Sequence, residues 1–213
     1  GHFIKKDYII KYNVDTGLST YVFVDIYQVR SLVDSVVVGG NNYITLTSNE
    51  GIRSEMQAIH NGLPLVVERF DYPNSNIVHI ETGFDLTNLV YGEELVFNSR
   101  RVLNFSKFQD ITGINIVDDL IMFTDDISEP KIVNIKRGIM GTGGVIENGW
   151  FSISEGQDAL THTRLISERR DGLFIDDGFE VVNHPDYPNV LPTFSELENN
   201  TTIKKNPLTP PTL

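Results

Sequence analysis

Ile111-Thr112-Gly113-Ile114-Asn115-Ile116-Val117-Asp118-Asp119-Leu120-Ile121-Met122-Phe123-Thr124-Asp125 is the stretch from which the fold is read. Its first limb is β-branched and alternating, with Ile114 and Ile116 on one face. Asp118-Asp119 turns the chain, since Asp side chains bond nearby backbone amides. Leu120 to Asp125 returns as a partner strand. Asp126-Ile127-Ser128-Glu129-Pro130 turns again, and Lys131-Ile132-Val133-Asn134-Ile135-Lys136-Arg137 alternates polar and apolar as a third strand. Three consecutive strands joined by tight turns make a meander, the unit of a propeller blade or an open antiparallel sheet.

The same signals recur outward from it. Residues 5–12 and 19–27 read as a hairpin around Asn13-Val14-Asp15-Thr16-Gly17. Residues 35–38 and 43–47 flank Gly39-Gly40-Asn41-Asn42 as a second hairpin. Residues 65–70 and 76–80 are strand-like around Asp71-Tyr72-Pro73-Asn74. The spacing of Ile52, Met56 and Ile59, stopped by Asn61-Gly62, predicts a short helix near residues 52–60. Residues 94–97 and 101–105 suggest a second, degenerate blade within residues 86–105. Residues 163–182 add two strands around Asp171-Gly172.

The expected fold class is mainly β: antiparallel meanders with β-propeller-like blades inside a larger multidomain protein. Residues 1–90 form a β-rich region with the short helix. Residues 91–182 form a propeller-like antiparallel region, with a flexible Gly-rich loop at 138–149 that holds five glycines. Residues 183–213 hold six of the nine prolines and read as an extended linker to a following domain, with Ile203-Lys204-Lys205 as a candidate edge strand. The first residue is Gly and the end is proline-broken, which suggests an internal piece of a longer polypeptide.

Composition narrows the function classes. The 213 residues are 40% hydrophobic, which suits a packed core. Cysteine is absent, which excludes disulfides, thiolate metal sites and a cysteine nucleophile. No apolar run approaches the roughly 20 residues of a membrane-spanning helix, and no signal-peptide pattern opens the sequence. Lys plus Arg number 17 against 29 Asp plus Glu, a net −12. That balance opposes tight duplex binding, whose affinity comes from neutralised phosphates. It suits a surface past which DNA slides without sticking.

No catalytic constellation stands out. Met140-Gly141-Thr142-Gly143-Gly144 lacks the Lys and hydroxyl of a phosphate loop and reads as a surface loop. Asp118-Asp119, Asp125-Asp126 and Asp176-Asp177 sit at turns; clustered carboxylates could hold calcium, but EF-hand spacing is missing. The five histidines at 2, 60, 79, 162 and 184 show no metal-ligand spacing. His79 and His162 read as packed or hydrogen-bonded residues. Gly-x-Ser-x-Gly and His-Glu-x-x-His are absent. Arg100-Arg101, Arg169-Arg170 and Lys204-Lys205 are isolated doublets, too sparse for a nucleic-acid patch. The sequons in Asn199-Asn200-Thr201-Thr202 carry little weight without a secretory signal. No catalytic residue, cofactor or metal is expected. The residues singled out as structural determinants are Gly113, Asp118, Thr124, Asp125, Glu129 and Pro130.

The phrase Thr112-Gly113-Ile114-Asn115-Ile116, then Asp118, the apolar run, Thr124-Asp125, Glu129-Pro130-Lys131 and Asn134-Ile135 resembles the tail nozzle, or muzzle, proteins of crAss-like tailed bacteriophages. Arg101-Val102-Leu103-Asn104-Phe105, His162-Thr163 and residues 202–213 are similar to that family too. Met122-Phe123 stands where an aromatic pair such as Phe-Trp is more usual. The resemblance implies a virion structural protein in a ring, hexameric, around the channel for genome and protein ejection. It implies contacts with further copies, with tail hub proteins and with fibre adaptors, while DNA passes through without specific binding. Two other readings stay open: a β-propeller module that binds a glycan or peptide, and a carbohydrate-active enzyme with an unidentified carboxylate pair.

Overall fold

The computed structural model describes residues 1–37, 42–71, 76–81, 86, 88–142, 145–147, 150–152, 161–168, 179–184 and 187–200. The strands in chain order are β1 (Phe3–Tyr12), β2 (Ser19–Val37), β3 (Tyr43–Leu46), β4 (Gln57–His60), β5 (Leu63–Asp71), β6 (Ile77–Ile80) and β7 (Glu94–Asn98). They are followed by β8 (Gly113–Val117), β9 (Leu120–Thr124) and β10 (Lys131–Asn134), then helix α1 (Ile135–Thr142). Short pairs complete the order: β11 (Val145–Glu147) with β12 (Trp150–Ser152), β13 (Ile166–Glu168) with β14 (Phe179–Val181), and β15 (Asn183–His184) with β16 (Tyr187–Pro192). Leu197–Asn199 is a single 3-10 turn. The fold is mainly β and antiparallel, as the sequence suggests. No helix among the described residues is long and apolar enough to cross a membrane.

The first seven strands make one sheet in the order β1-β2-β3-β6-β5-β4-β7, and β7 pairs back onto β2. The last pairing closes β2, β3, β6, β5, β4 and β7 into a six-stranded barrel. Closure removes the free edges that an open sheet leaves. The short strands alternate with period two, buried at Ile44 and Leu46, at Ala58 and His60, at Val78 and Ile80, and at Leu95 and Phe97. Their inward side chains meet Val24, Ile26, Val29 and Val33 of β2 in one core.

β2 is 19 residues long and serves two cores. Val24 and Ile26 face the barrel, while Val22 and Phe23 join Val102, Leu103, Phe123 and Val133 in a second cluster. That cluster lies under the β8-β9-β10 meander, whose register (Ile114 opposite Phe123, Ile116 opposite Ile121) puts these four side chains on one face.

Four sequence expectations are corrected. Residues 52–60 are not helical: residues 57–60 are β4, hairpinned to β5 with His60 opposite Leu63. Asn61 and Gly62 both take positive φ (49° and 78°), as a two-residue primed hairpin turn requires. Asn-Gly here joins two strands and does not stop a helix. Residues 101–105 are not a strand. The expected loop at 138–149 and the third limb of the meander also change, because residues 135–142 are helical.

Gly138 and Gly141 are there for closeness, not mobility. A Cβ on Gly138 would lie 2.3 Å from the Val22 carbonyl oxygen, and one on Gly141 would lie 2.5 Å from that of Arg164. The helix therefore lies directly on β2 backbone. Residues 143–144 and 148–149 of the expected loop lie outside the described residues, as do the Asp171-Gly172 turn and residues 201–213.

Gly138→Ala tests this contact. Helix propensity alone would stabilise the variant by about 1 kcal/mol. Overpacking against backbone, which cannot rotate away, costs about 1–3 kcal/mol. The expected result is a lower urea midpoint with an unchanged slope. A stabilised variant would mean that α1 does not press on β2.

Candidate functional site

The densest polar chemistry of the described residues lies at the middle of β2. Residues 22–26 are buried without a break, and Asp25 is a charged residue inside that apolar run. Its Oδ2 accepts the backbone N–H groups of Val102 and Leu103, each at 2.7 Å. Directly across the β1-β2 ladder stands Asp7, a like charge at a paired position. The Asp7 Oδ2 accepts the Phe105 N–H at 3.1 Å and the Arg101 guanidinium at 2.6 Å. Residues 101–105 thus form a clip on two carboxylates. This is why the segment is irregular: its amides are satisfied by side chains instead of a ladder.

The other edge of β2 is closed by residues 162–163. Thr163 exchanges bonds with Val24: its N–H donates to the Val24 carbonyl at 2.9 Å, and its hydroxyl accepts the Val24 N–H at 2.7 Å. The Ile26 N–H donates to His162 Nδ1 at 2.9 Å. Nδ1 is therefore an acceptor, and the tautomer assigned from this pattern carries its proton on Nε2, which donates to the Ser195 carbonyl at 3.0 Å. An imidazole takes the place of a neighbouring strand.

His162 and Asp25 are close, 3.8 Å from Nδ1 to Oδ1, but they do not form a catalytic dyad. Nδ1 has no proton to share, both ring nitrogens are held by backbone, and both side chains are sealed from solvent. Burial, then the nearby Arg53 charge, holds the imidazole well below its ordinary pKa, so it stays neutral. Burial also pushes the Asp25 carboxyl up to about 6, against the two amides that favour its charge. This site can position backbone; it offers no exposed acid, base or nucleophile.

Arg53 connects this interior to solvent. Its Nη2 donates to Ser99 Oγ at 2.8 Å, and the guanidinium sits 5.9 Å over the Phe194 ring. Burial weakens its charge, countered by Asp25, Glu196 and Glu55. It borders a cleft of about 790 Å³ lined also by Glu55, Glu81, Asn98, Arg100 and Glu196. Both signs of charge meet there, which suits a polar ligand better than an apolar one.

The residues singled out in the sequence gather at the meander turns, apart from this site. Gly113 opens β8, and a Cβ there would lie 3.3 Å from the Thr124 methyl. Asp118 holds a positive φ of 52° in the β8-β9 turn. Thr124 ends β9, and its hydroxyl accepts the Asp126 N–H at 3.2 Å. Asp125 accepts the N–H groups of Ile127 and Ser128 and the Ser128 hydroxyl, and Ser128 in turn accepts from Lys131 Nζ at 2.7 Å. Burial alone would raise the Asp125 pKa, but these bonds and the Lys131 charge together hold it below the ordinary value. Glu129 and Pro130 close the same turn ahead of β10. These acids do turn chemistry.

Among the histidines, His60 Nδ1 bonds Glu93 Oε1 at 2.7 Å while its Nε2 accepts from Asn61, and His79 packs its ring against Tyr43. Groups of three or more His, Asp or Glu able to hold a metal are absent among the described residues. Asp176-Asp177, Arg169-Arg170 and Lys204-Lys205 lie outside the described residues. The sequence reading missed Asp7, Asp25 and Arg53, while Arg101, one of its isolated doublets, forms an ion pair with Asp7. The signal for Asp25 was available: one acid at the centre of Tyr21-Val22-Phe23-Val24-Asp25-Ile26-Tyr27 must be satisfied by something. No protein-family model, curated protein or solved structure matches the chain.

Asp25 and His162 pull stability in opposite directions with pH. An unfolded Asp25 ionises near 3.8, while the folded one keeps its proton to about 6. Stability from this group therefore falls as pH rises from about 4 to 6. His162, held neutral, makes stability fall as pH drops below 6.5. Asp25→Asn keeps an acceptor for the two amides and removes the first effect alone. Its stability relative to wild type should rise by about 2 kcal/mol between pH 4 and 6.5, read from urea titrations. A pH-independent difference would show that Asp25 carries no burial penalty.

Proposed function

We propose that this chain is a structural assembly subunit, a part of the ring-shaped nozzle of a phage tail that encloses the channel for genome and protein ejection. One observation carries the reading. Residues 114–117 of β8 are all exposed, Ile114 at 65%, Ile116 at 59% and Val117 at 45%. Exposed contiguous β-branched side chains at a sheet edge mark a surface made for another chain. The buried polar groups support the reading from the other side, because Asp7, Asp25, Thr163 and His162 are spent on joining segments of backbone. The net charge of −12 suits a wall that DNA passes without binding.

In this reading the β8-β9-β10 meander is blade-like. A propeller blade has four strands, and the fourth would pair with β8. Copies of the chain form a ring, hexameric by resemblance, in contact with tail hub and fibre-adaptor proteins. A glycan- or peptide-binding module is the second reading, favoured by the charged cleft beside Arg53.

Native mass spectrometry and electron microscopy separate the two. The assembly reading expects species well above the 24.0 kDa monomer, growing with concentration and closing into rings. A strict monomer that binds a glycan, with binding lost in Arg53→Gln, would replace it with the second reading.

A further inference from the structure

β8 is the outer strand of its sheet and pairs with β9 alone among the described residues. The face it shares with Phe123 and Ile121 is covered over β9, where those two side chains pack into the second core. Over β8 the same face runs on uncovered through Ile114 and Ile116. The devices that guard sheet edges, a lysine or a proline on the strand, are missing from β8. Charge is one-sided here: residues 109–130 contain six acids and no Lys or Arg.

The chain carries a complementary edge. β1 is the only described strand with more than one basic residue, Lys5, Lys6 and Lys11. Its one acid, Asp7, is engaged by Arg101. β1 also ends its sheet, with β2 as its one paired strand among the described residues, and exposes Phe3, Tyr8, Ile10 and Tyr12. Pairing β8 with β8 would bring Asp110, Asp118 and Asp119 against their own copies, and pairing β1 with β1 would oppose lysines. Only the unlike pairing matches both charge and apolar surface.

We propose that the outer edge of β8 pairs with β1 of a second copy of this chain, head to tail. The proposal rests on the assembly reading above and supplies its contact. Each copy then offers one donor edge and one acceptor edge, so association continues until a ring closes or a filament grows. The fourth strand of each blade-like sheet comes from a neighbour.

Three proteins and one mixture test it by sedimentation velocity: wild type, Ile114→Lys with Ile116→Lys, and Ile10→Glu with Lys11→Glu. All changed positions are exposed or at the edge, and circular dichroism confirms folding. Wild type should self-associate, more weakly at high salt. Each double variant alone should associate at least tenfold more weakly. Mixed, they should form a one-to-one dimer and nothing larger, because each keeps the edge the other lacks. A β1 variant that associates like wild type, or a mixture that stays monomeric, overturns the head-to-tail pairing while leaving the assembly reading standing. A monomeric wild type overturns both. Zero-length carbodiimide crosslinking of isotope-labelled with unlabelled wild type needs no variant. It should join Lys5 or Lys11 to Asp118 or Asp119 between copies, and intermolecular crosslinks confined to other residues overturn the proposal.

Discussion

Every backbone N–H and C=O of the long strand β2 must find a partner, and the rest of the described structure follows from how that is done. A buried, unpaired amide costs roughly 1–3 kcal/mol, and residues 22–26 are buried on both faces. β1 supplies one edge from residue 19 to residue 30. The opposite edge is assembled from pieces. Thr142 takes the Tyr21 carbonyl, Thr163 takes Val24, His162 takes the Ile26 amide, and Ser99 takes the Tyr27 carbonyl. β7 takes over at Gln28 and closes the barrel. Helix α1 can lie on β2 only because Gly138 has no side chain. Remote segments of the chain thus converge on one strand for the same electrostatic reason.

The two carboxylates Asp7 and Asp25 are the cost side of that arrangement. Like charges at directly opposed ladder positions repel, and Asp25 also loses its hydration. The clip at residues 101–105 offsets both with three amides and one guanidinium. The compensation is unequal. Asp7 has the Arg101 guanidinium on it, while Asp25 has amides only and its carboxyl is pushed up to about 6. A neutral His162 beside it avoids adding a second buried charge. An Asp-His contact of 3.8 Å invites a catalytic interpretation, but the direction of the Ile26 hydrogen bond decides against it.

Local patterns were legible in the sequence where local chemistry decides the structure. The meander strands, their Asp turns and the first hairpin follow from alternation and turn residues within a dozen positions. Asn61-Gly62 shows where a local signal has two meanings. It suits a helix stop or a primed hairpin, and the buried alternation of Ala58 and His60 selects the hairpin only once β7 is in place. The glycines of residues 138–141 mislead for the same reason. Composition cannot separate a glycine that bends from one that lets two backbones touch, since the second use depends on Val22, more than a hundred residues away. Barrel closure through β2 and β7 is likewise a long-range pairing that no local pattern announces.

The contrast between the two edges of the sheet system carries the functional reading further than any single site does. Around β2 the chain spends threonine, serine and histidine groups on backbone that β1 and β7 do not pair. At β8 it spends nothing: no lysine or proline blocks the edge, and Ile114 and Ile116 remain in water. A sequence able to close the first edge so thoroughly is not short of means to close the second. Exposed apolar strand edges carry an aggregation risk, which is tolerated where a defined partner covers them. The acids flanking β8 give that partner a sign, because they repel a like edge and attract a basic one. A strand of that sign is present in the same chain, in β1. The polar groups inside join segments of one chain, and in the assembly proposed above the apolar groups outside would join one copy to the next.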